Sequence, residues 1–109
     1  MSSAYLSFSA TVILQALANA YLNGIDIMDM TGLPGGTVYP ALRRLEDMGY
    51  VASKWEKHHI AQKEQRPARK YYEVTKDGNE ALGEAVKRYR LLNQATSVVR
   101  ETKPSRGRV

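Results

Sequence analysis

The chain contains no cysteine. That removes disulfides, thiolate zinc sites and cysteine nucleophiles together. No apolar run approaches the roughly 18 residues of a membrane span, so no membrane partner is expected. The first ten residues lack the basic start and apolar core of a secretory signal, and the expected location is cytoplasmic. Paired carboxylates in a protected setting and a nucleophile motif are also missing. The glycines from Gly32 to Gly36 are not followed by the Gly-Lys-Ser/Thr ending of a phosphate loop. His58 and His59 have no further ligand at metal-binding spacing, and Asp26 and Asp29 lack the spacing of a calcium loop. No enzyme, no cofactor and no metal are expected.

What remains is 109 residues, one domain by size, with 43% hydrophobic residues. That is enough for a small core, which chains of this size often supplement with an oligomer interface. The net charge of +5 is unevenly placed. Residues 1–50 carry net −2 and residues 51–109 net +7, with +4 concentrated in 54–70. A basic patch of this kind points to a polyanion.

The basic patch lies beside a segment with two faces. In Gly35-Gly36-Thr37-Val38-Tyr39-Pro40-Ala41-Leu42-Arg43-Arg44-Leu45-Glu46-Asp47-Met48-Gly49-Tyr50, Val38, Leu42 and Leu45 recur at helical spacing, with Ala41 and Met48 alongside. Thr37, Tyr39, Arg43 and Arg44 fall largely off that stripe. Hydroxyls, an aromatic and arginines on a free helix face suit a major-groove reader. Upstream, a helix is predicted from Ser9, as N-cap, to Leu22, stopped by Asn23-Gly24. A short helix follows from Ile25 to Met30, with Ile25, Met28 and Met30 inward and Asp26 and Asp29 outward. Helix, glycine-containing turn and helix make a helix-turn-helix unit.

After Gly49 the periodicity becomes alternating. Residues 50–56 suit a strand with Val51 and Trp55 on one face, and residues 69–75 a second, with Tyr72 and Val74 sharing a face. Trp55 is expected in the core at the base of this hairpin, and Tyr71 and Tyr72 on opposite sides of their strand. The segment His58 to Ala68 is polar, basic and too irregular for either element, so a long loop with a mobile tip is expected. Thr75 is a candidate N-cap for a last helix of about 25 residues, along which Leu82, Ala85, Val86, Tyr89, Leu92, Thr96 and Val99 keep helical spacing. A domain this small cannot bury that stripe alone, so Leu82, Ala85, Val86, Tyr89, Leu92 and Val99 are expected to form a homodimer interface. The prediction is an α+β, mostly α fold: a winged helix-turn-helix with a two-stranded wing (residues 9–75), a long C-terminal dimerisation helix (76–102) and a disordered basic tail (103–109).

The run Gly36-Thr37-Val38-Tyr39-Pro40-Ala41-Leu42-Arg43-Arg44-Leu45-Glu46, then Gly49-Tyr50-Val51, resembles the recognition-helix signature of the PadR family of transcriptional regulators. Arg66-Pro67-Ala68-Arg69-Lys70-Tyr71-Tyr72-Glu73-Val74-Thr75-Lys76-Asp77-Gly78 is similar to that family's second wing strand and helix entry. The likeness runs from about Ile13 to Leu82, in the right order. It implies a homodimer that binds pseudo-palindromic operators in double-stranded DNA, usually as a repressor, and a small-molecule effector, if one acts, that changes the spacing of the two reading helices. Gly36, Thr37, Tyr39, Arg43 and Arg44 match the recognition helix, and Lys54, Arg69 and Lys70 the wing, to which Lys63 and Arg66 add charge for phosphates. Pro34 stands where members often place a capping serine, the second helix is short, and the C-terminal region is that of the compact branch. The alternative reading is a winged-helix module that binds a protein partner and not DNA.

Overall fold

A computed structural model describes residues 6–90 and 92. The first helix, α1 (Phe8–Leu17), starts on Ser7, whose hydroxyl accepts the Ala10 N–H at 3.1 Å. The cap is therefore Ser7 and not the expected Ser9. Ile13, Leu14 and Leu17 are buried on one face. The helix ends at Leu17, short of Leu22, because the chain then forms an edge strand, β1 (Leu22–Asn23). Asn23 is not a stop. Its side chain accepts the Asp26 N–H at 2.8 Å and caps α2 (Gly24–Thr31).

The rotation of α2 differs from the expected one. Ile27 is fully buried, whereas Ile25 is 56% exposed and Met30 points to solvent. Gly24 sets this rotation: a Cβ there would penetrate the Tyr39 ring, so the Gly24 side of α2 faces inward, and Ile27 and Met28 share it. Gly32, at φ 76°, ends α2 in the left-handed conformation. The chain then enters α3 (Gly35–Asp47), which buries Val38, Ala41, Leu42 and Leu45 against α1 and α2. Met48, expected inside, lies exposed beyond the helix end.

Three strands form one antiparallel sheet in the order β1-β3-β2, so the expected two-stranded wing has a third strand at its base. In β2 (Val51–Trp55) and β3 (Lys70–Val74), Val51 pairs with Val74, Ser53 with Tyr72 and Trp55 with Lys70. These six residues share the inner face. Val51 and Tyr72 reach the core, but Trp55, at the strand end, lines an open groove with Ile25 and Tyr39 and is 63% exposed, not core as expected. On the outer face Tyr71 stacks on Tyr21, ring centres 5.4 Å apart.

The segment expected to be an irregular loop contains a helix, α4 (His58–Lys63), between β2 and β3. Ala61 is its buried residue, and Gln65, at φ 57°, turns the chain back.

The last helix, α5 (Lys76–Arg88), begins at Thr75 as expected: its hydroxyl accepts the Gly78 N–H at 3.0 Å and donates to the Gly49 carbonyl at 2.6 Å. It packs on α1. Ala85 is 1% exposed inside the chain's own core and Leu82 packs against that core. Tyr89 donates its hydroxyl to the Leu6 carbonyl at 2.9 Å and sets its ring edge-on to Phe8. The start of the stripe assigned to a second copy therefore folds onto its own domain, and Ala85 is not available to a partner. Thr96, Val99 and the tail 103–109 lie outside the described residues. Among the described residues, no helix is long and apolar enough to cross a membrane.

The tightest joint is Gly78, where a Cβ would collide with the Tyr50 carbonyl and the Val74 side chain. Gly78→Ala is expected to lose about 1–3 kcal/mol of stability, as overpacking does, measured as a lower urea midpoint at unchanged m. An unchanged midpoint would mean that the joint opens freely.

Candidate nucleic-acid interface

The sequence of α3 divides it by angle. With successive residues 100° apart, the buried stripe leaves Gly36, Pro40, Arg43 and Asp47 on the opposite arc. Pro34 stands at the N-cap and offers no side-chain hydrogen bond. The Pro34 carbonyl instead receives the Thr37 and Val38 N–H groups at 2.9 and 3.0 Å. The Gly35 and Gly36 amides precede the first intrahelical acceptors and point out of the helix start, where an anion is well received. Pro40 has no N–H to give the Gly36 carbonyl, so the usual i to i−4 bond is missing at this turn.

The named α3 residues do not share one surface. Arg43 sits on the outward arc, exposed. Arg44 and Thr37 lie on the flank turned towards α1, where Arg44 borders a cavity of about 110 Å³ with Leu6, Ala10 and Met48. Neither arginine forms an ion pair among the described residues. Tyr39 lies on the other flank, 43% exposed, its ring against Gly24.

That second flank meets the wing through Glu46, a residue the sequence reading passed over. Its carboxylate accepts the Ser53 hydroxyl of β2 and lies 3.6 Å from the Lys70 ammonium of β3. The ammonium also sits 5.8 and 5.7 Å from the Trp55 and Tyr72 ring centres. Lys70 is thus turned in on α3, not out on a free wing face. Burial raises the Tyr72 hydroxyl above its usual range, with Glu46 and Tyr39 adding to the effect, so the phenol stays protonated.

Arg66 is also engaged. Its guanidinium forms a two-pronged pair with Glu56, at 2.7 and 2.9 Å. That hydrogen bond chiefly holds the Glu56 carboxyl below the usual carboxylate range and raises the guanidinium. Of the expected wing cations, Lys54 and Lys63 are exposed and Arg69 partly so, and none of the three forms an ion pair among the described residues. Glu56 carried no sequence signal beyond its place at the strand end before a basic segment.

Between the start of α2, the Tyr39 flank and the wing base runs a groove of about 390 Å³. Asn23, Ile25, Tyr39, Trp55, Lys70 and Tyr72 line it. Asn23 is buried, and its Nδ2 has no hydrogen-bond partner among the described residues.

A helix-turn-helix whose second helix is braced by a β-hairpin is a winged helix. In sequence, the model of the PadR-like transcriptional regulator family matches residues 13–84. The chain belongs to that family, and it is a DNA-binding transcriptional regulator by that membership. No curated protein is significantly similar to it. Among solved structures, a PadR-like transcription factor from Bacteroides fragilis is 26% identical, with TM-score 0.65 over 84% of this chain and 88% of that one. A PadR family regulator from Eggerthella lenta is 25% identical, with TM-score 0.63 over 87% and 83%. Bacillus subtilis PadR, solved with operator DNA, shares the fold at 18% identity, with TM-score 0.62 over 94% of this chain and 54% of that one.

Gly36 tests what the outward arc is for. Its backbone is helical, and a Cβ there meets nothing within 4 Å, so the fold does not require glycine. Gly36→Ala is expected to stabilise the protein by about 0.4–1 kcal/mol through the unfolded chain, seen as a higher Tm, while weakening DNA binding. A variant that binds DNA as well as the parent would show that no backbone of the ligand comes close here.

Proposed function

We propose that the protein acts as a homodimeric repressor reading a pseudo-palindromic operator, with each α3 in a major groove and each wing on the flanking backbone. The observation that carries this reading is the outward arc of α3 with Arg43 upon it, beside the wing cations Lys54, Lys63 and Arg69, none of the four in an ion pair among the described residues. Arg43 is placed to reach guanine edges, and the Gly35–Gly36 amides and Thr37 to receive a phosphate. The wing cations meet phosphates without reading sequence. Arg44 serves the backbone on the α1 side. The groove bordered by Tyr39 and Lys70 is where the strand between the two contact surfaces passes. Repression follows from occupying the operator. Solved relatives support operator binding and repression: Bacillus subtilis PadR is bound to operator DNA, and an adhesin competence repressor of Streptococcus pyogenes shares the fold.

The dimer surface of this reading is Val86 and Leu92 together with Val99, which lies outside the described residues; Leu82, Ala85 and Tyr89 are engaged within their own chain. This surface holds the two α3 helices about one helical turn of DNA apart. An effector acting on such a dimer would do so by altering that separation.

Selection of bound duplexes from a random-sequence library tests the reading. Enrichment of a two-fold symmetric site is expected, with affinity falling linearly in log salt. Arg43→Ala should then bind the selected duplex about 10–100-fold more weakly while remaining a folded dimer by sedimentation. No enriched sequence, or binding indifferent to salt, would favour the protein-partner module instead.

A further inference from the structure

Glu56 and Arg66 stand at the two ends of the segment that carries α4. The carboxylate accepts both guanidinium prongs, and its Oε1 also accepts the Arg69 backbone N–H at 3.2 Å. The Glu56 N–H donates to the Arg69 carbonyl at 2.7 Å. The Glu56 side chain is 8% exposed. Four hydrogen bonds thus close the base of the wing tip on a single residue, and α4 stands on that base.

Resting on the DNA-binding reading above, we propose that Glu56 is a positioning residue for DNA binding, an acidic side chain inside the basic wing that raises affinity by fixing where the cations stand. Held by Arg66, the segment presents Lys63 and Arg69 already ordered. Without the pair, backbone and side chains of the tip lose their closure, and their ordering must be completed on contact with the duplex, at a cost in affinity. Simple charge makes the opposite demand. Removing a carboxylate from the wing makes the protein more positive beside a polyanion, which by itself tightens binding. The sign of the change therefore separates the two.

The rival role for Arg66 is direct contact with a phosphate. A phosphate contact tolerates lysine, which keeps the charge. A two-pronged clamp does not, because lysine cannot supply the fork.

The test uses the full-length protein, the duplex recovered in the selection above, fixed salt and a temperature well below Tm, with affinities referred to the active fraction. Glu56→Gln is expected to bind about tenfold more weakly, the size of one or two side chains to be ordered. Arg66→Lys should lose a similar factor, and the double variant should be no worse than either single one, as for two partners in one interaction. Trp55, the only tryptophan and the neighbour of Glu56, reports wing order without DNA: its fluorescence anisotropy should fall in both variants. Binding by Glu56→Gln as tight as or tighter than the parent overturns the proposal, as do losses that add in the double variant. If Glu56→Gln does not fold, Arg66→Lys decides alone, and undiminished affinity there rejects the clamp. A parent protein that enriches no duplex removes the DNA reading and the proposal together, whereas an enriched duplex with unaffected variants removes only the proposal.

Discussion

Everything in this molecule is arranged around the burial of one stripe of α3. Val38, Ala41, Leu42 and Leu45 are almost wholly out of water, packed against α1 and α2. Fixing those four residues fixes the rotation of the helix, and rotation decides which side chains face outward. A helix free to roll would offer a different set of donors at each angle. The core thus determines which side chains of α3 face outward without contributing a residue to that arc.

The flanks of α3 are held by different means. On one side Tyr39 leans on a glycine that leaves room for its ring, and Glu46 reaches the sheet through Ser53 and Lys70. On the other side Arg44 borders a small cavity near α1. Polar ties on the wing side and apolar packing beneath leave the outward arc to solvent. The wing is organised on similar lines, since two of its six cations, Arg66 and Lys70, pair with glutamates. Total positive charge therefore overstates how many of these cations are without an acidic partner among the described residues.

Much of this was readable in the sequence, and the portions that were not share a cause. The stripe of α3, the turn at Gly32, the Thr75 cap and the inward Tyr72 follow from local periodicity or from side chains acting within a few residues. The rotation of α2 could not be read that way, because Ile25, Ile27 and Met28 fit two faces equally and a contact with Tyr39 chooses between them. Trp55 reads as core by composition, but it faces an open groove shared with Ile25 and Tyr39. The helix α4 lies between the two partners of an ion pair that closes across the segment from outside it. Arg66 and Lys70 looked like ligands for phosphate because a single chain of letters does not display their glutamate partners. Even the short β1 exists through pairing with Tyr71 and Tyr72, far along the chain.

The junction at Gly78 bears on how force travels through the protein. Thr75 is bonded to both Gly49 and Tyr50, and Gly78 abuts the Tyr50 carbonyl. Tyr50 and Gly49 in turn donate to the carbonyls of Leu45 and Glu46 in the last turn of α3. The root of α5 therefore has no slack in which to swivel. Torque applied to its far end is delivered, as by a lever on a seized bearing, to the end of α3.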